Sequence, residues 1–495
     1  MRTRKISKRG LAALLFAGQL WAGAKAPERV SVSTPDRFAE QANAHGTTAD
    51  NAIEKWWATL EDPELNTLVQ RGIENNLSVK AAGERLLEAR ASRRITRGDL
   101  LPSVESSNSF RQIRGGYEDG NVHVGNNVPG SGIFVAPFET NIFQLGFDAS
   151  WEIDLFGGKR HALEAATADV GAAEEARRDV LVSLSGEIAR NYVELRGAQR
   201  RLAITKQNIA LQQDSLHLTQ VRVDAGLGAQ LDVQRQQEQL ASSEALVPGI
   251  ENQISLSIHT LSVLLAQPPA ALQHELEAEG QIPAIPATVP VGLPGQLLTR
   301  RPDLRQARAG LLAAAARVGA AKADLFPKIV FTGLAGRQAT DLSGFTIGAG
   351  NFFAVGPGIT LPIFEAGKIR ANIAVKKQQY EEAVTQYQNA VLTALRETED
   401  SLSSYGREQE RRQKLIAAAH ASEQATQLAS ELYTRGLSDF LAVLDAQRDQ
   451  LANQEALAQS DTMVLTDLIA LYKSLGGGWN ETAAAAVKTN TAAGQ

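Results

Sequence analysis

Between Lys368 and Arg435 the chain runs for 68 residues with no proline and a single glycine, Gly406. Read as one helix at ~1.5 Å per residue, this run is a rod of roughly 100 Å, far longer than a globular domain needs. Its larger apolar residues (Tyr380, Val384, Tyr387, Val391, Leu395, Leu402, Tyr405) fall mostly at three- and four-residue steps, with alanines and polar residues between them. That pattern belongs to a rod packed lengthwise on other rods.

The unit containing this rod occurs twice. Helical patterning starts near Trp56-Trp57 and Asp62-Pro63-Glu64-Leu65 and is expected to continue to about Asp99, where Leu101-Pro102 stops it. A loosely alternating stretch and a Gly/Asn-rich loop follow. Then comes the clearest strand in the chain, with Phe143, Leu145, Phe147, Ala149, Trp151, Ile153 and Leu155 on one side and Gln144, Gly146, Asp148, Ser150, Glu152 and Asp154 on the other. Such a strand fits a barrel wall with lipid outside and water inside, or the half-buried strand of a soluble sandwich. Gly158-Lys159 opens a second proline-free run, expected to be helical to about Val223, to turn at Asp224-Ala225-Gly226-Leu227-Gly228, and to continue as a helix to Ala266. In the second copy Leu325-Phe326-Pro327 answers Leu100-Leu101-Pro102, Gly367-Lys368 answers Gly158-Lys159, and Arg435-Gly436-Leu437 answers Ala225-Gly226-Leu227. A supersecondary unit used twice is the simplest account.

The expected organisation is therefore a signal peptide at 1–24, an extended arm at 25–50, a first repeat at 51–266 (strand hairpin 103–156, long helices 159–266), and a connector at 267–295. A second repeat spans 296–479 (hairpin 328–364, long helices 368–475), and residues 480–495 form a disordered tail. The signal reading rests on a basic start (Arg2, Arg4, Lys5, Lys8, Arg9), an apolar centre and the small residues Ala22-Gly23-Ala24. A short membrane anchor is the alternative, but the apolar stretch is too short and interrupted to span. Cleavage after Ala24 removes five positive charges and takes the formal net charge from −5 to −10. Nucleic acid is a poor partner at that balance. The absence of cysteine excludes disulfides, thiolate chemistry and lipid attachment through an N-terminal cysteine. After the signal no apolar run approaches the length of a membrane helix, so any crossing must use strands. Four strands per chain are too few for a closed barrel, and an open sheet edge is not tolerated in lipid, so the chain must assemble with copies of itself.

These features resemble the TolC-like outer-membrane channels of tripartite efflux pumps and related exporters. The resemblance runs from about Trp56 to Trp479. It is carried by Trp56-Trp57 through Leu65, Arg300-Arg301-Pro302-Asp303-Leu304, Leu325-Phe326-Pro327, Asp439 to Gln447, and Leu471-Tyr472-Lys473-Ser474-Leu475-Gly476-Gly477-Gly478-Trp479, in this order. It implies a membrane β-barrel of twelve strands closed by a homotrimer, continued by a coiled-coil barrel of long α-helices through the periplasm, with the connector in its equatorial region. It also implies partnership with a periplasmic adaptor and an inner-membrane transporter, contact with outer-membrane lipid, and no cofactor. Many relatives carry a lipidated cysteine at the mature N-terminus; this chain has Ala24 or Lys25 there, so that anchor does not carry over.

In this family the periplasmic end is closed just after the second helical turn, where Leu441 and Asp445 match. Four residues apart, they share one helix face. A ring of three such carboxylates at ~6 Å and an effective dielectric of ~20 repels by roughly 3 kcal/mol per pair, which favours bound cations or partial protonation. On its own Asp445 reads better as a solvated helix aspartate, and it is the family motif that reverses that reading. Tyr433 matches a position that ties neighbouring helices in the closed state. The basic residue that often precedes it in relatives is Leu432 here, leaving Arg435 as the nearest candidate, with Asp224 or Asp439 as its partner. The turns at Gly226-Leu227 and Gly436-Leu437 are expected to form the adaptor-facing tips, and glycine there also serves as a helix cap.

Catalytic and metal sites find no support. His45, His123, His161, His217, His259, His274 and His420 are scattered without paired spacing. Gly158-Lys159 and Gly367-Lys368 lack the rest of a phosphate loop and read as strand-to-helix corners. A rod-like envelope scaffold and a protein-secretion conduit are the rival functions, separated by conductance and by the inner-membrane partner. The acidic face of the strand at 144–154 points to cationic cargo.

Overall fold

A computed structural model describes residues 34–42, 47–48, 53–115, 138–341 and 350–479. The signal peptide, the whole 116–137 loop and the 480–495 tail expected from the sequence lie outside the described residues. The main elements are α1 (Pro63–Asn75), α2 (Leu77–Gly98), β1 (Ser103–Gly115), β2 (Phe138–Ile153), α3 (Gly158–Asp224), α4 (Gln230–Glu244), α5 (Val247–Leu264), α6 (Pro302–Ala323), β3 (Lys328–Ala339), β4 (Gly350–Thr360), α7 (Lys368–Thr434) and α8 (Phe440–Ser474). The rods α3 and α7 have 67 residues each. Two compact units cut across the two repeats. Of the described residues, one holds those within 89–170 and 311–383, and the other those within 34–88, 171–310 and 384–479.

The first unit contains the sheet. Its order is β1-β2-β3-β4, and every pair is antiparallel. Opposed residues share a face, so the registers Phe110↔Phe143, Trp151↔Phe331 and Ile329↔Ile359 gather apolar side chains on one side. Phe147, Trp151, Phe353, Val355 and Ile359 are all exposed there. β2 and β4 carry most of this band; β1 contributes Val104 and Phe110 with Ser106 and Asn108 between them. Glu105 opposes Asp148 on the other face. Gly157 and Gly367, at φ +80° and +83°, turn the chain from strand into rod; the second corner is the Gly367 read from the sequence, and the first falls one residue before the Gly158 read there.

The second unit holds the main core. Trp56 stacks on Tyr472 with ring centroids 5.1 Å apart, within a buried cluster that includes Leu65, Tyr192, Leu261, Tyr405 and Leu468. The terminal motif closes over it. Arg301 donates to Asp303, to Glu397 and to the Ser474 carbonyl. The Trp479 indole N–H donates to the Arg300 carbonyl at 3.2 Å, and Arg178 and Arg305 lie 4.8 and 5.0 Å from its rings. Residues far apart in the chain are thus clasped at one place.

Two expected helices are divided. The segment from Trp56 to Asp99 is a 3-10 turn, α1 and α2, because Asp62 and Asn76 each cap a new helix: Asp62 Oδ1 accepts from the Glu64 and Leu65 N–H groups, and Asn76 Oδ1 from those of Ser78 and Val79. Asn76 Nδ2 also donates to the Leu264 carbonyl. The helix expected to run unbroken to Ala266 is α4 plus α5, interrupted at Ala245–Leu246 in its hydrogen bonding alone, since both residues keep helical dihedrals and Pro248 in the first turn of α5 has no N–H to give. Proline is tolerated there because that N–H has no partner inside the helix.

Asp467 on α8 is half-buried. Burial, and after it the charge of Glu408, push its carboxyl up to about 6 from an ordinary 3.8. The folded chain holds this proton more tightly than the unfolded one, so stability rises as pH falls from 6 towards 4 and is lost as pH rises through that window. Asp467→Asn is expected to raise the thermal midpoint at pH of about 8 and to leave it unchanged below about 4. Circular-dichroism melts across this range check it, and an equal gain at both ends would contradict the assignment.

Candidate functional site

The two rods end alike. At the end of α3, Gly226 adopts φ +75°, its N–H donates to the Val223 carbonyl at 2.9 Å, and the Leu227 N–H donates to the Arg222 carbonyl at 2.8 Å. At the end of α7, Gly436 adopts φ +74°, its N–H donates to the Tyr433 carbonyl at 2.9 Å, and the Leu437 N–H to the Leu432 carbonyl at 2.8 Å. Both are Schellman closures, which satisfy otherwise orphaned carbonyls and need a left-handed residue that glycine supplies without strain. Each holds the next leucine in solvent: Leu227 is 69% exposed and Leu437 71%.

The return helices start differently. Asp439 caps α8, its Oδ1 accepting from the Ala442 N–H at 3.1 Å. The equivalent residue before α4 is Ala229, which has no side-chain cap to offer. Inside the second turn Tyr433, Phe440, Val443 and Leu444 form a small buried cluster. The Tyr433 and Phe440 rings meet edge-on at 5.4 Å. Leu441, 43% exposed, and Asp445, also exposed, stand on the opposite side of α8, one turn apart.

The basic partner of Tyr433 comes from the other repeat. The Arg222 guanidinium lies 4.6 Å above the Tyr433 ring, and its Nη1 donates to the Tyr433 carbonyl at 3.1 Å. A cation over an aromatic face, placed at the negative end of a helix, binds on both counts. Arg222 thereby ties the end of α3 to the end of α7. Arg435 faces Glu431 on its own helix at 3.8 Å. Neither aspartate considered for it is its partner here, since Asp224 accepts from Gln220 and Asp439 caps α8. Arg222 was not singled out from the sequence. The signal was present: the 210-residue offset between turns carries Leu432, where a basic residue was sought, onto Arg222.

Among the described residues no group of histidines, aspartates and glutamates has a metal-binding arrangement. Among the described residues no helix is long and apolar enough to cross a membrane.

The family model described as "Outer membrane efflux protein" matches residues 68–267 and 293–477. The chain belongs to the outer membrane efflux protein family. Outer membrane protein OprJ of Pseudomonas aeruginosa is 31% identical over 475 residues, covering 95% of this chain and 96% of that one. The toluene efflux pump outer membrane protein TtgI of Pseudomonas putida is 30% identical over 437 residues, covering 87% and 88%. The solved outer-membrane channel OprN superposes with a TM-score of 0.83 at 35% identity, covering 92% of this chain and 99% of that one. This efflux protein thus has the TolC-like channel fold, resides in the outer membrane and serves as the exit duct of an efflux pump.

Arg222→Ala removes the cation–π contact and the charge at the end of α7, together worth about 1–2 kcal/mol. Amides of the second turn, Leu432 to Leu437, are therefore expected to exchange with deuterium about ten-fold faster, while those around Trp56 and Tyr472 are unchanged.

Proposed function

We propose that this efflux protein works as a homotrimer, passes small molecules without chemistry of its own, and is gated where α7 turns into α8. In this reading Leu441 and Asp445 of three copies form an apolar ring beside a carboxylate ring, Tyr433 and Arg435 belong to the same gate, and Arg222 holds the closed arrangement from within each chain. Gly226, Leu227, Gly436 and Leu437 form the tips that meet a periplasmic adaptor, itself coupled to an inner-membrane transporter. The observation that carries the gate is the pairing of an exposed Leu441 with Asp445 on a helix whose other face is packed. Two exposed leucines on preformed turns support the tip assignment, since rigid apolar points bind with little ordering cost.

The sheet supports self-assembly. Within the chain β1 and β4 are edge strands, and the band of Phe353, Val355 and Ile359 is exposed beside one of them. Outer-membrane lipid suits that band, and hydrocarbon requires the edges to be paired. The repeat supplies the pairing. Inside the chain β2, from the first hairpin, pairs with β3, from the second. The hairpin registers Ser103↔Ser150 and Lys328↔Thr360 relate the repeats by 225 and 210 residues. Carried over, the β2·β3 register sets Thr360 of β4 opposite Ser107 in β1 of a second copy. It also keeps Ile359 on the same face as Asn108, as the alternation demands.

A Ser107→Cys/Thr360→Cys chain is therefore expected to oxidise to a ladder ending at three chains, whereas Ser107→Cys/Ile359→Cys is not. The parent has no cysteine to confuse the result. In planar bilayers the purified channel is expected to give a small cation-selective current that grows in Leu441→Ala and loses divalent block in Asp445→Asn. Folded, inserted protein that passes no current in any form would favour an envelope scaffold.

A further inference from the structure

Opposed residues of the sheet share a face, so the registers give its apolar side row by row. From the rod end outward this side is apolar from the row Ile153–Ile329–Ile359 to the row Phe147–Ala335–Phe353, with Ser106 of β1 the one polar residue among them. The next row departs from that pattern. It reads Asn108, Leu145, Arg337 and Asn351 across the four strands, and beyond it the Phe110 and Phe143 rings meet with centroids 4.7 Å apart. Between the Ile153 row and the Phe143 row, Arg337 is the only charged residue on this side.

Its height in the sheet follows from the strand geometry. Arg337 lies eight residues beyond Ile329 on β3, which is ~26 Å along the strand. At the ~40° tilt of a membrane barrel strand that is roughly 20 Å of rise, within an apolar band ~25 Å tall. The rods leave from the other end of the strands, so Arg337 stands just beneath the outer edge of the band. An arginine side chain there can lay its stem on apolar surface and lift its guanidinium to the headgroups. Arg337 is exposed, as are Asn108 and Asn351, and its guanidinium forms no ion pair or hydrogen bond with another described residue.

We propose that Arg337, with Asn351 beside it, binds a phosphate group of an outer-leaflet glycolipid and so holds one such lipid against β3 and β4 of each chain. The inference rests on the reading that the apolar side of the sheet meets outer-membrane lipid. The guanidinium fork matches two phosphate oxygens, and the amide of Asn351, directly opposite, offers a further N–H. The surroundings favour a lipid over a free anion. Leu145 and Phe353 flank the polar row and are exposed, and acyl chains cover them whereas inorganic phosphate does not.

The test titrates the full-length, detergent-purified channel with diphosphorylated lipid A and counts bound lipid by native mass spectrometry. One lipid per chain is expected for the parent, about ten-fold weaker binding for Arg337→Gln, and a smaller loss for Arg337→Lys, which keeps the charge without the fork. Arg111→Gln makes the same change of charge on the other face of the sheet and is expected to bind as the parent does. Lipid A stripped of its phosphates is expected to bind the parent no better than it binds Arg337→Gln. Should Arg337→Gln fail to fold, Asn351→Leu is expected to weaken binding in the same direction. Equal binding by the parent and a folded Arg337→Gln overturns the site, and so does full competition by millimolar inorganic phosphate. Quenching of Trp151 fluorescence by brominated acyl chains, absent in Trp151→Phe, checks the lipid-facing band separately. If that quenching is seen while Arg337→Gln binds normally, the band stands and the phosphate site alone is wrong; if it is not seen, both readings fall.

Discussion

Every backbone N–H and C=O in a membrane-crossing protein needs a partner, and this chain meets that requirement in two ways. The rods meet it internally, through residues 158–224 and 368–434, with Schellman turns closing the ends that a helix leaves open. The sheet meets it between strands, but only on three of its seams, because β1 and β4 each present an unpaired edge. A two-fold internal repeat makes those edges complementary, since the chain already shows how the second hairpin receives the first. Among the described residues no helix is long and apolar enough to cross a membrane, because the apolar residues sit on alternate positions of strands and on narrow stripes of rods.

The two ends of the second unit are built to different rules. Around Trp56, Tyr472 and Arg301, large side chains and a well-satisfied guanidinium bring together residues near both ends of the described chain. Most of the family motifs fall here, which makes them parts of a clasp. Towards the turns the apolar core shrinks to two small clusters, of four and three residues, alongside buried amides and hydroxyls.

Much of this was legible in the linear pattern. Rod length followed from the absence of proline and glycine, strand faces from strict alternation at 143–155, and the turn glycines from their position after each rod. Leu441 and Asp445 were legible as a pair through the family resemblance, with which their four-residue spacing agrees, and the structure sets both in solvent on one side of α8. The breaks at Asn76 and at Ala245–Leu246 were harder to see. A single asparagine capping a new helix looks like any polar helix residue until its amide is seen to reach the Leu264 carbonyl. Pro248 was visible, but proline in a first turn is compatible with helix on both sides of the break.

By itself the sequence determined the repeat, the rods, the hairpins, the family and the alternation that puts apolar groups on one face of the sheet. These are local or periodic properties, set by propensity and spacing within one segment. Which charges meet over long range was decided only by tertiary structure. Arg222 reaches Tyr433 across 211 residues, and Asp467 is pushed up to about 6 because packing takes it away from water and sets it beside Glu408. Electrostatic and hydrogen-bond partners depend on distances of a few ångströms between segments remote in the chain, and no periodicity encodes those distances.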